Sequence, residues 1–208
     1  MTGMEHIKYY IFSLSVVLLD QVSKLMVHLN MELGQEIAVL GDWFKLHYVL
    51  NPGIAFGIEF DFEYGKLILT IFRILAAIGI AYYLYYLSRQ KSHKLVLLSL
   101  SLILAGATGN VIDSTFYGVI LDNAPLAAVS PWFHGQVIDM LYFPLIEGTY
   151  PGWVPVWGNQ SFQFFRPVFN IADASIFLGV TFILVLQNKF SLVGPEKPEQ
   201  VLIKTKSL

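Results

Sequence analysis

The sequence predicts a membrane α-helical fold: four transmembrane helices, a small extracytoplasmic β-sheet and an outer loop or helix. Three observations point there. The 208 residues are 55% hydrophobic, 15% aromatic and 13% charged, with mean hydropathy +0.59, a balance outside that of soluble domains. Four runs, residues 9–27, 67–87, 95–116 and 168–186, approach the roughly 20 apolar residues that cross a bilayer core. Residues 42–50 alternate Phe44, Leu46, Tyr48 and Leu50 with Lys45, His47 and Val49, the period of two expected of a strand with one apolar face.

The first run follows Lys8 and resembles the start of a signal peptide. It leads, however, into Asp20-Gln21-Val22-Ser23-Lys24 with no small-residue cleavage site, so it reads as a retained span. Outside the spans, Lys8, Arg89, Lys91, Lys94, Lys189, Lys197, Lys204 and Lys206 fall on one side, and Lys45, Lys66 and Arg166 on the other. The positive-inside bias then places both termini in the cytoplasm. Residues 30–66 and 117–167 are the two extracytoplasmic stretches, and Asn51-Pro52-Gly53 ends the predicted strand. The Trp-, Pro- and Gly-rich residues 148–158 suit a membrane interface. Residues 1–190 form a single membrane domain, and 191–208, with Pro195 and Pro198, a disordered cytoplasmic tail.

The charge balance excludes some chemistry. With 13 basic and 15 acidic residues the formal charge is -2, which offers no basic face to nucleic acid. Zero cysteines exclude a disulfide framework, a thiolate metal site and a thiol nucleophile. His6, His28, His47, His93 and His134 are scattered without ligand spacing, so neither a metal nor another cofactor is expected.

An acid or base at mid-span costs about 2.5–3.5 kcal/mol on insertion scales, so each calls for a reason. Asp20 and Lys24 are four apart and share one helical face. Arg73, one turn into the second span, reads as a bundle-facing or snorkelling side chain. The third span ends in Asn110-Val111-Ile112-Asp113 and the fourth begins Asn170-Ile171-Ala172-Asp173, so two outer helix ends present the same Asn-to-Asp corner. Asp139 interrupts an apolar stretch of the outer loop that can fold back onto them. Carboxylates gathered beside a low-dielectric region share a proton, which suits water activation in a hydrolytic dyad. The same spacing equally suits an ion or proton pathway, or structural polar contacts.

Five blocks carry a further signal: Asp20 to Lys24, Asn51-Pro52-Gly53-Ile54-Ala55-Phe56, Gly106 to Asp113, Val137-Ile138-Asp139, and Phe169 to Asp173. In this order on a four-span scaffold the chain resembles the bacterial lipoprotein signal peptidases, also called signal peptidase II. The resemblance implies an aspartic endopeptidase of the bacterial inner membrane, its active site near the outer leaflet. It also implies a substrate-cradling sheet and a mobile loop over the site. Asp139 and Asp173 match the family's catalytic pair. Asp20, Lys24, Asn51, Gly53, Asn110, Asp113 and Asn170 match positions that support the pair, the site backbone or the substrate. The implied substrate is a prolipoprotein whose lipobox cysteine carries diacylglycerol, cut just before that cysteine. Membrane lipid is the other partner, and a monomer is expected.

The chain departs from the family at Ala105, where a glycine is usual, and at Ser114, where an arginine usually follows the aspartate. Arg166, four residues before Asn170, is the expected source of the missing charge. The rival reading is a small ion-coupled transporter using Asp20, Lys24, Asp113 and Asp173 as a relay. Inverted repeats and broken mid-span helices would mark it, and the sequence has neither.

Overall fold

The computed structural model describes residues 6–53, 64–144, 146–164 and 167–186. Arg166, the Ile54-Ala55-Phe56 part of the second block and the tail 191–208 lie outside the described residues.

Long apolar runs without proline give three extended helices: α1 (Ile7–Asn30), α2 (Gly65–Arg89) and α3 (Lys94–Ile112). The helix α3 does not stop at the predicted end of its span. It widens into a π-helical turn at Asp113–Tyr117 and finishes in α4 (Gly118–Ile120), so residues 117–120, predicted to begin an outer loop, continue the helix. Three helices of the described chain are long and apolar enough to cross a membrane. The predicted fourth span, 168–186, is shorter as a helix. Val168–Phe169 forms a strand, and α5 (Ile171–Leu186) begins only after Asn170 caps it. Its 16 described residues extend about 24 Å.

α3 is the central element, packed against α1, α2 and α5. Leu84, Leu87, Val96, Leu97, Leu100 and Leu104 form the core at one end of the bundle, with Tyr9 from α1. The outward faces are equally apolar: Ile11, Leu14 and Leu18 on α1 and Ile68, Phe72, Leu75 and Ile78 on α2 are exposed. A bundle apolar on both faces is one whose surroundings are lipid.

The predicted strand is present as β2 (Phe44–Asn51), hairpinned to β1 (Glu36–Leu40). Sequence reasoning did not anticipate β3 (Val137–Tyr142) and β6 (Val168–Phe169), which complete an antiparallel sheet in the order β1-β2-β3-β6. A separate hairpin, β4 (Ile146–Thr149) and β5 (Ser161–Phe164), carries Trp153 and Trp157 in its connection. Val27, Tyr48, Tyr117, Ile138 and Met140 form a second core that fastens the sheet to the bundle.

Candidate active site

The site forms where the sheet hands over to a helix. β3 pairs with β6 (Leu141 opposite Phe169), and β6 runs directly into Asn170 and the first turn of α5. This connection brings Asp139, on β3, beside Asp173, the third residue of α5. From the other side of β3, Asn51 on β2 is opposite Val137, which makes it a diagonal neighbour of Asp139 on one sheet face.

Each carboxylate is held by side-chain amides. Asp139 accepts from Asn170 Nδ2 at 2.7 Å and from Asn51 Nδ2 at 3.1 Å. Asp173 accepts from Asn110 Nδ2 at 2.7 Å. Asn170 is also the N-cap of α5, its Oδ1 accepting the backbone N–H of Asp173 at 2.9 Å, so one residue touches both acids. Asn51 Oδ1 accepts the N–H of Gly53 at 2.8 Å. That turn needs the glycine, whose φ of +106° an L side chain rarely adopts. Burial, and then the neighbouring Asp173, raise the Asp139 carboxyl from its ordinary 3.8 to about 7, against the opposing pull of the Asn51 and Asn170 hydrogen bonds.

Behind this pair is a closed ionic cluster. Lys24 Nζ lies 2.8 Å from Asp20 Oδ2, 2.7 Å from Asp113 Oδ2 and 3.2 Å from Asn110 Oδ1. All three charged side chains are at most 1% exposed. Asp20 Oδ1 accepts the backbone N–H of Ala172 at 2.8 Å, so α1 supplies an acid to the positive end of α5. Gln21, which sequence reasoning passed over, donates to Asp113 at 2.8 Å and accepts from the Tyr117 hydroxyl at 3.0 Å. The close approach depends on small residues. A Cβ at Gly109 would stand 2.7 Å from Asp20 Oδ2, and one at Gly106 would collide with the Ala172 carbonyl.

The structure therefore divides the sequence-derived candidates. Asn51, Asn110 and Asn170 contact Asp139 or Asp173, while Asp20, Lys24 and Asp113 bind one another. The Asn110–Asp113 corner is split: Asn110 faces Asp173 and Asp113 faces Lys24. Arg73 faces the bundle and donates to Ser114 Oγ at 2.9 Å. Among the described residues no group of three or more His, Cys, Asp or Glu is arranged to hold a metal ion. Two adjacent acids, one with a raised affinity for its proton, can hold a water between them and polarise a carbonyl.

The signal peptidase (SPase) II family matches residues 12–188. A lipoprotein signal peptidase of Amoebophilus asiaticus (strain 5a2) is 50% identical over 191 residues, covering 90% of this chain and 80% of that one. Another from Porphyromonas gingivalis (strain ATCC BAA-308 / W83) is 49% identical over 180 residues, covering 82% of this chain and 78% of its own. In fold, the chain is similar to a bacterial membrane enzyme solved by the in meso method at 2.3 Å, with a TM-score of 0.58 and 24% identity over 91% of this chain and 93% of that one.

Proposed function

The chain belongs to the signal peptidase II family, and from that premise we propose that it is a membrane-embedded aspartic endopeptidase in which Asp139 and Asp173 activate water. Its substrate is a prolipoprotein with a diacylglyceryl cysteine, and it cuts the bond before that cysteine. The observation that carries this reading is Asn170, which donates to Asp139 and accepts the N–H of Asp173. It fixes two acids from distant parts of the chain beside one another.

In the proposed reaction Asp139, with its raised proton affinity, holds the proton of the pair. The other carboxylate takes a proton from water, and the hydroxide adds to the scissile carbonyl while Asp139 donates to its oxygen. Collapse of the tetrahedral adduct passes a proton to the leaving amine. No covalent enzyme intermediate is required. α5 is the fourth membrane helix, both termini face the cytoplasm, and the site opens near the outer leaflet of the inner membrane. Acyl chains then stay in lipid while only the scissile bond enters the site. The enzyme acts as a monomer.

The closed contacts of Asp20, Lys24 and Asp113 support this reading over a proton relay, since each of the three is engaged inside one cluster. Cleavage of a diacylglyceryl lipobox peptide by purified enzyme tests the proposal. Asp139→Asn and Asp173→Asn keep shape but cannot exchange the proton. Each is expected to lower kcat by about 10³-fold or more, and turnover by either variant at the parental rate refutes the dyad.

A further inference from the structure

The strongest unassigned group is Arg73. Its guanidinium enters the site from α2, and its Nη1 donates to Ser114 Oγ at 2.9 Å. Ser114 is fully buried and follows Asp113 at the position where the family resemblance leads one to expect an arginine. A cation delivered from another helix thus occupies the space beside residue 114.

Among the described residues the Ser114 contact is the one hydrogen bond that Arg73 makes, and it forms no salt bridge. The carboxylates within electrostatic range are Asp173, Asp113 and Asp139. Other side chains already hold each of them: Asp139 by Asn51 and Asn170, Asp173 through Oδ1 by Asn110, Asp113 by Gln21 and Lys24. A guanidinium has five N–H donors, so most of this one's are unspent. Its Nη2 lies 3.7 Å from where a Cβ on Gly53 would stand, and Lys66 Nζ, buried and without a hydrogen-bond partner among the described residues, 3.4 Å from it. Unused donors beside both acids and an open glycine turn call for an acceptor that arrives from outside. A substrate's main-chain carbonyl is such an acceptor, and it gains negative charge as water adds.

We propose that Arg73, positioned by Ser114, is the residue that binds the substrate's peptide carbonyl beside Asp139 and Asp173. The assignment rests on the peptidase reading above. It makes Ser114 a positioning residue and gives α2, which otherwise packs on α3, its part in the site.

Steady-state cleavage of a diacylglyceryl lipobox peptide over a range of pH tests it. The groups facing Asp139 are Asp173 on α5, Lys24 on α1, Arg73 on α2, Asn51 on β2 and Asn170. Arg73→Met is expected to lower kcat/KM by about ten- to hundredfold, the range for a hydrogen bond to a charged group. It should also move the basic limb of the profile to higher pH, because a cation near the acids is gone. Arg73→Lys keeps the limb in place. The reciprocal variant Arg73→Ser with Ser114→Arg returns most of the rate, since the charge is delivered from residue 114 instead.

Parental kinetics in Arg73→Met overturn this proposal alone. A slower Arg73→Met with an unmoved limb, and no recovery in the reciprocal variant, overturns it in favour of a packing role. If Arg73→Met does not fold, the reciprocal variant decides: active supports the proposal, folded and inactive overturns it. A parental enzyme that leaves the peptide uncut overturns the peptidase reading as well.

Discussion

Lys24 Nζ lies 3.2 Å from Asn110 Oδ1, and this contact sets the direction of the Asn110 amide. An ammonium only donates, so the carbonyl of Asn110 must face Lys24, and its NH₂ is left to face Asp173 at 2.7 Å. Lys24→Met would remove that constraint and leave Asp20 and Asp113 as buried uncompensated charges. Breaking a buried pair from one side costs about 3–5 kcal/mol. The expected result is a loss of this order in denaturant unfolding in detergent, with a fall in activity. An unchanged midpoint would mean that the cluster contributes nothing to the fold.

The raised affinity of Asp139 for its proton has a definite sign. Below about 7 the carboxyl is protonated and above it ionised, so a reaction that needs one proton on the pair slows as pH rises through 7. The profile of kcat/KM should show a basic limb near there. A flat profile from about pH 6 to about pH 9 counts against Asp139 as the proton holder. Stability follows the same direction. The folded state binds this proton more tightly than the unfolded chain, so the contribution is whole below 3.8 and is lost as pH rises through about 7.

Asn170 combines a cap with a donor, and two substitutions test these roles. Asn170→Asp retains a good N-cap for α5 but presents an acceptor to Asp139 where an N–H now lies at 2.7 Å. Activity is expected to fall by about 10²-fold, the equivalent of a charged hydrogen bond turned repulsive, and stability to fall with it although the cap is kept, because the buried new oxygen also faces the Ile138 carbonyl. Asn170→Ala should lower both, with about 1 kcal/mol lost from the cap. Thermal unfolding measured beside kcat checks both, and equal activity in Asn170→Asp would exclude the donor role.

The glycine at 109 is required by its neighbour. A methyl group there would stand 2.7 Å from Asp20 Oδ2, and the fully buried ion cluster cannot yield without lengthening its own contacts. Gly109→Ala is expected to destabilise by about 1–3 kcal/mol, read from unfolding midpoints. Gly79 has open space around a would-be Cβ, so Gly79→Ala serves as the tolerated control.

Trp153 and Trp157, in the β4–β5 connection, are 81% and 57% exposed. Aromatic side chains of this kind favour the headgroup layer. In liposomes carrying brominated lipids, a variant in which these are the sole tryptophans should lose fluorescence. Emission equal to that in unbrominated liposomes would place the hairpin in water.

Parts of this architecture are legible in the sequence and parts are not, for physical reasons. The pairing of Asp20 with Lys24 is readable because helical periodicity alone places residues four apart on one face. The strand β2 is readable from its alternation. β3 is not, because Val137-Ile138-Asp139-Met140-Leu141-Tyr142 is apolar on both faces but for Asp139, largely buried, and carries no period-two signal. The two Asn-to-Asp corners reveal where polar groups gather. They do not reveal that Asp113 turns towards Lys24, since that depends on how closely α1 approaches α3 at Gly109. Arg73 gives no sequence signal of its role, because its partner at 114 lies 41 positions away on another helix. The start of α5 is misread from hydropathy because Val168 and Phe169 are apolar in either a strand or a helix.

Asp139 rides on a strand and Asp173 on a helix. Asn170, the single residue between β6 and α5, bonds both, so sheet and bundle are coupled at the point where the two acids meet.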